Sequence, residues 1–203
     1  MNLAVFVSGR GSNLNAILSN LELKNKVQVK VVISDKTKCG AFEIAAENSI
    51  PAYSVSEKNN QGYISFHDVT KLLVDLEVDL IVLAGFLKLI PDELIKTFKN
   101  RIINIHPALL PMFGGKGMYG MNVHKAVFES GMKISGATVH FVDEIFDNGK
   151  IITQRCVDIS TVDSPEEIAQ KVLSVEHQIL PYVLGKFADK KIKLSDDRVL
   201  IEV

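Results

Sequence analysis

The sequence predicts an α/β fold of Rossmann-like type: a mostly parallel sheet with helices on both faces and an antiparallel C-terminal edge. Three observations carry this. Short apolar runs alternate with amphipathic, helix-length stretches through the first half of the chain. Most of those runs are apolar on both faces, as strands of a sheet covered on both sides must be. Beyond about residue 130, two alternating stretches flank a turn-forming Asp-Asn-Gly, the pattern of an antiparallel pair.

Each element follows from local chemistry. NLAVFV reads as a first strand ending in the glycine-rich SGRGSN, and Leu14, Ile17, Leu18 and Leu21 then share one helical face. Residues 27–34 read as a second strand and 41–49 as a short helix, with a brief strand, AYSV, after Pro51. A helix is expected from about Gly62 to Leu76, a buried strand over 79–85, and a helix opened by Pro91. RIINIH (101–106) is the next strand, which Pro107 ends by removing a ladder donor. FGGKGMYGMN reads as a mobile loop, followed by strands over 134–143 and 149–159. Ser164-Pro165-Glu166-Glu167 is a capping box that opens a long helix. Its apolar face runs through Ile168, Val172, Val175 and Ile179, and Pro181 is expected to kink or end it. The last residues, KIKLSDDRVLIEV, suggest a terminal hairpin.

The 203 residues suit one domain with two halves, 1–100 and 101–203, and 47% hydrophobic content supports a substantial core. A formal net charge of −1 gives no electrostatic case for a nucleic-acid partner. The lysines at 186, 190, 191 and 193 read as a solvated tail. Cys39 and Cys156 lack the spacing of a disulfide framework or zinc site. With neither a signal-peptide pattern nor a membrane-length apolar run, the expectation is a soluble cytoplasmic protein without a membrane partner.

Three stretches could carry chemistry. In SGRGSN, Gly9 and Gly11 allow a tight turn at a helix N-terminus, where N–H groups favour an anion, and Ser12 and Asn13 could cap the helix. The third glycine of a dinucleotide fingerprint is replaced by Leu14, so a phosphomonoester fits better, with an ordinary βα turn as the alternative. In RIINIH, strand alternation puts Asn104 and His106 on one face at the strand's C-terminal end, where α/β sheets bind ligands. An amide and an imidazole side by side can donate to an oxyanion; a satisfied core histidine is the alternative. In ATVHFVDEIFDNGKII, Thr138 and His140 share a face, and Asp143, Glu144 or Asp147 could orient His106 and raise its pKa. Spacing does not choose among those carboxylates. Glu176 and His177 interrupt an apolar helix face, either as surface residues or with a ligand role, and His124 could reach an anion.

VFVSGRGSNLNAI, DLIVLAGFLKLI, INIHPALLP, GATVHFVDEIFDNGKII and VEHQILPYVL occur in an order that resembles the phosphoribosylglycinamide formyltransferases, over essentially the whole chain. The resemblance implies the formyltransferase fold and transfer of a formyl group from 10-formyltetrahydrofolate to the amine of 5-phosphoribosylglycinamide in purine biosynthesis. It implies that Asn104, His106 and Asp147 are catalytic and that His140 supports them. Gly11, Ser12 and Asn13 would hold the substrate phosphate and Glu176 the ribonucleotide. Leu87, Lys88, Leu89, Ile90, Asn104 and Val142 would bind the folate. No metal is implied, and the chain would be a monomer or weak homodimer. Three departures stand out: Tyr63 replaces a folate-contacting Arg, the 112–123 loop is longer, and DNGK replaces Asp-Gly-Gly-Pro. Methionyl-tRNA formyltransferase and formyltetrahydrofolate hydrolase are the nearest alternatives. The first would add a C-terminal nucleic-acid-binding domain and the second an N-terminal regulatory domain, and the sequence suggests neither. A non-catalytic phosphate-binding module would account for SGRGSN but not for the Asn, His and Asp.

Overall fold

The computed structural model describes residues 1–57, 61–196 and 198–202. Seven strands form one sheet: β1 (Asn2–Phe6), β2 (Gln28–Ser34), β3 (Ala52–Ser54), β4 (Leu80–Leu83), β5 (Ile102–His106), β6 (Ile134–Phe141) and β7 (Ile151–Asp158). Their order is β3-β2-β1-β4-β5-β6-β7. Pairing is parallel for β1 with β2 and β4 and for β2 with β3, and antiparallel for β6 with β7. The helices are α1 (Ser12–Ser19), α2 (Gly40–Glu47), α3 (Phe66–Asp75), α4 (Asp92–Thr97), α5 (Met121–Glu129) and α6 (Pro165–Ala188). A separate antiparallel hairpin joins β8 (Ile192–Leu194) to β9 (Val199–Ile201). Asp197 and Val203, which the expected terminal hairpin includes, lie outside the described residues.

The chain divides into two compact units, Met1–Ile103 and Asn104–Val203. The first has a core of fully buried β1, β2 and β4 side chains, including Leu3, Val5, Ile33 and Ile81, with Leu14 of α1 and Leu73 of α3. Burial on this scale is the main favourable term in folding. In the second, α6 buries Ile168, Val172, Ile179, Val183 and Leu184, and Phe141 meets Phe187 edge to face at 6.0 Å.

Several boundaries differ from those the sequence suggests. Helix α1 ends at Ser19, because Asn20 Oδ1 accepts from the backbone N–H groups of Glu22 and Leu23, forming a local turn that competes with the helix. Leu21 is therefore 84% exposed and Leu23 fills the core instead. Neither Ser12 nor Asn13 caps α1: both lie inside it, and the cap is Gly11 at φ 78°. Helix α3 starts at Phe66 rather than near Gly62, since Ile64 pairs with Val55 and the Ser65 hydroxyl caps the helix by accepting from Asp68 N–H at 3.1 Å. Helix α5 begins at Met121, inside the end of the run read as a loop, and continues to Glu129, with Val123, His124 and Val127 buried. Helix α6 runs through Pro181 to Ala188, and Pro181 itself is buried. The apolar burial around Pro181 offsets the roughly 3 kcal/mol that an interior proline costs. Ser164 caps the helix as expected, its Oγ accepting from Glu167 N–H, but the Glu167 carboxylate accepts from Asp163 N–H rather than from the Ser164 N–H of a full capping box.

Candidate active site

The end of β5 delivers Asn104 and His106 to a polar cluster inside the second unit, which β6 and the β6–β7 connection complete with His140 and Asp147. Register between β6 and β7 shifts between Val139 and His140; such a bulge re-aims the side chains beside it. Asp147 adopts φ 54°, left-handed for a non-glycine residue. Two residues on, Gly149 lies so close to the Phe141 carbonyl that a Cβ would overlap it. The connection is closed by Phe141 N–H donating to Lys150 O at 2.9 Å.

Asp147 is the hub. Its Oδ1 lies 3.5 Å from His106 Nδ1, 3.6 Å from His140 Nε2 and 3.4 Å from Asn104 Nδ2, while Oδ2 accepts from Gly115 N–H at 2.9 Å. Hydrogen-bond chemistry orients the rest. His140 Nδ1 is 2.8 Å from the Phe141 carbonyl, so it carries the proton, and Nε2 accepts from Asn104 Nδ2 at 3.1 Å. That assigns the Asn104 amide: Nδ2 faces the two partners and Oδ1 does not. His106 Nε2 donates to the Phe113 carbonyl at 2.8 Å.

The electrostatics differ from the sequence expectation on one point. Burial lowers the His106 pKa below the ordinary imidazole value. The Asp147 carboxylate and the Phe113 carbonyl favour the charged ring, but less than burial opposes it. The expected rise does not occur, and the resting ring is neutral near pH 7. For Asp147, burial favours the neutral acid, yet the neighbouring His140 ring, the charge of His106 and the Gly115 N–H together bring its pKa below the usual carboxylate range.

The other expected residues divide between the two units. In the first, Gly11 opens α1 with no side-chain cap, and a Cβ on it would come within 2.8 Å of Ala41 Cα. Ser8 ties this loop to the one after β4, its N–H donating to Gly85 O at 3.0 Å and its hydroxyl accepting from Leu87 N–H at 2.9 Å. Leu87, Lys88 and Leu89 are exposed and Ile90 is buried. Tyr63 is half-buried just before α3. In the second, Glu176 is buried on α6 and Val142 is half-buried after β6. His124 is buried on α5; burial, with repulsion from His106, lowers its pKa to about 4. Among the described residues, no group of three or more His, Cys, Asp or Glu could hold a metal ion.

Sequence reasoning missed the backbone of Phe113 and Gly115, which no side-chain pattern reports.

The formyl transferase family matches residues 1–184. The chain belongs to that family. It is 44% identical over 200 residues to a chloroplastic phosphoribosylglycinamide formyltransferase of Arabidopsis thaliana, covering 97% of this chain and 68% of that one. It is 37% identical over 183 residues to the phosphoribosylglycinamide formyltransferase of Bacillus subtilis, covering 89% and 91% of the two chains. The crystal structure of phosphoribosylglycinamide formyltransferase from Anaplasma phagocytophilum superposes with a TM-score of 0.89 at 33% identity, covering 100% of this chain and 95% of that one. This formyl transferase therefore shares both fold and sequence with enzymes named phosphoribosylglycinamide formyltransferase.

Proposed function

We propose that this enzyme transfers the formyl group of 10-formyltetrahydrofolate to the amine of 5-phosphoribosylglycinamide, a step of purine biosynthesis. The observation that carries the reading is the convergence of Asn104, His106 and His140 on Asp147, in a chain whose relatives at 37% and 44% identity carry that enzyme's name.

Attack of the amine on the formyl carbon creates a tetrahedral centre with a negative oxygen. His106 Nε2–H and the second N–H of Asn104, which reaches Asp147 Oδ1 only at 3.4 Å, are the donors that oxygen recruits. A negative charge at Nε2 raises the affinity of His106 for a proton, which the ring takes from solvent, so it is charged as the intermediate forms and returns that proton to solvent when the intermediate collapses. Asp147 on the opposite nitrogen stabilises that charge. His140 holds the Asn104 amide with its N–H groups forward, and a proton moves from the amine to the departing N10. In this reading, Gly11, Ser12 and Asn13 bind the substrate phosphate through the uncapped start of α1, and Glu176 binds the ribonucleotide. The backbone at Leu87, Lys88, Leu89 and Ile90, with Asn104 and Val142, binds the pterin. Tyr63 takes the place of a cationic folate contact. The enzyme works in the cytoplasm as a monomer or weak homodimer without a metal; among its described residues, no helix is long and apolar enough to cross a membrane.

The test supplies 10-formyltetrahydrofolate with 5-phosphoribosylglycinamide, with methionyl-tRNA, or with water alone, and follows tetrahydrofolate release. Rapid release with the ribonucleotide alone is expected. Equal release in water would make the enzyme a hydrolase and overturn the reading.

A further inference from the structure

We propose that Gln154, on edge strand β7, is a positioning residue for the reaction, clamping the root of the loop that lies against His106 and Asp147. This rests on the formyl-transfer reading of that cluster. The loop reaches the cluster through two backbone groups: Phe113 carbonyl accepts from His106 Nε2, and Gly115 N–H donates to Asp147 Oδ2. Its root, Pro107–Pro111, follows directly from the catalytic strand β5.

That root is held by two side chains standing opposite each other in the β6–β7 register, Thr138 and Gln154. The Thr138 hydroxyl donates to Ala108 O at 2.6 Å and accepts from Leu110 N–H at 3.1 Å. Gln154 Nε2 donates to Leu110 O at 2.8 Å and to Thr138 Oγ1 at 3.0 Å. The hydroxyl's one proton and two lone pairs are thereby all used, as are both hydrogens of the Gln154 amide. Since Thr138 spends its only proton on Ala108 O, it can meet Gln154 only as an acceptor. The amide must therefore present nitrogen, which also suits the Leu110 carbonyl. Gln154 is itself an exposed residue, as are Arg155 and Cys156 after it, so core packing does not explain the direction of its amide. Leu110 is gripped through both its N–H and its carbonyl, three residues before Phe113.

A glutamate at 154 keeps the shape but presents only acceptors to two acceptors, and a methionine keeps the length without any donor. The test measures Gln154→Glu and Gln154→Met beside Thr138→Ser, which retains the hydroxyl, and Thr138→Val, which does not. Expected is a fall in kcat of about 10- to 100-fold, as small misplacements of catalytic groups produce, in the Glu, Met and Val variants. KM for the ribonucleotide should stay within about twofold, and Thr138→Ser should retain most of the rate. NMR titration of the His106 ring supplies a readout independent of turnover. The groups bearing on that ring are Asp147, His140 and His124. A loosened loop uncovers His106, so its titration should move upward in Gln154→Met, a shift that simple loss of folded protein does not produce. Should Gln154→Glu fail to fold, Gln154→Met decides alone. A folded Gln154→Met with wild-type kcat and an unmoved His106 titration overturns the inference. Wild-type enzyme that transfers no formyl group overturns the functional reading instead, and the titration still decides the clamp.

Discussion

Asp147→Asn isolates the charge of the carboxylate from its geometry, because the amide keeps an oxygen for Gly115 N–H and is the same size. Oδ1 stands 3.5 Å from His106 Nδ1. Two unit charges at that distance attract by roughly 5 kcal/mol at an effective dielectric of about 20, equivalent to about three and a half pKa units. The Asp147 side chain is 12% exposed, and water reaching it screens the pair, leaving an effect of about one to two units. The sign follows from the charges: the carboxylate favours the charged ring, so its loss takes His106 further below the ordinary imidazole range. Near pH 7 the charged ring becomes about 10 to 100 times scarcer. If His106 carries a proton in the transition state, kcat falls by that factor and its alkaline decline moves to lower pH by the same number of units. Activity then recovers as the medium is acidified. Steady-state kcat between about pH 5.5 and 9, read as tetrahydrofolate release, tests this. A variant profile that superimposes on wild type, or that drops equally at every pH, refutes the electrostatic role.

Other outcomes follow from the same geometry. His140→Leu removes the acceptor that holds the Asn104 amide, so kcat should fall about 10-fold or more with little change in ribonucleotide KM; steady-state kinetics checks it. Gly11→Ala places a Cβ against Ala41 at φ 78°, so the thermal midpoint should drop, by more than 1 kcal/mol in stability on the order of strained glycine sites, and ribonucleotide KM should rise. His124 has a folded pKa of about 4 against an ordinary 6.5. The unfolded chain therefore takes up that proton first, and stability falls as pH drops from 6.5, by roughly 3 kcal/mol at pH 4. Urea unfolding at pH 7 and 4.5 should show this loss in wild type and less of it in His124→Gln.

Strand alternation was enough to put Asn104 and His106 on one face, because a period of two is rigid geometry. The parallel core was equally legible, since its strands are apolar on both sides. Asp147 was not: Asp143, Glu144 and Asp147 look alike in sequence, and what separates them is the left-handed turn at 147 and the close approach of Gly149 to Phe141. The sign of the His106 shift was also out of reach, since a nearby carboxylate can be read from sequence but the burial that outweighs it depends on packing. Helix α5 went unseen because the glycines before it argue for a loop, while its buried face rests on only Val123, His124 and Val127. Gln154 carries no motif of its own in the sequence; its contacts with Leu110 and Thr138 exist only through the register that sets it opposite Thr138.

The bond from His106 to the Phe113 carbonyl sets a reference level for anything that would replace it. A ligand oxygen taking the Nε2–H exchanges one bond for another instead of adding one. A neutral formyl oxygen resembles the peptide carbonyl it displaces, so the swap yields almost no net attraction for bound substrate. An oxyanion wins the same exchange, because charge-assisted hydrogen bonds are roughly twice as strong as neutral ones. In the proposed reaction, the peptide carbonyl would act as a comparator that cancels ground-state affinity and leaves the advantage to the transition state. An inhibitor that merely mimics the formyl carbonyl should gain little from His106, whereas one presenting a negative or strongly polarised oxygen there should gain much more.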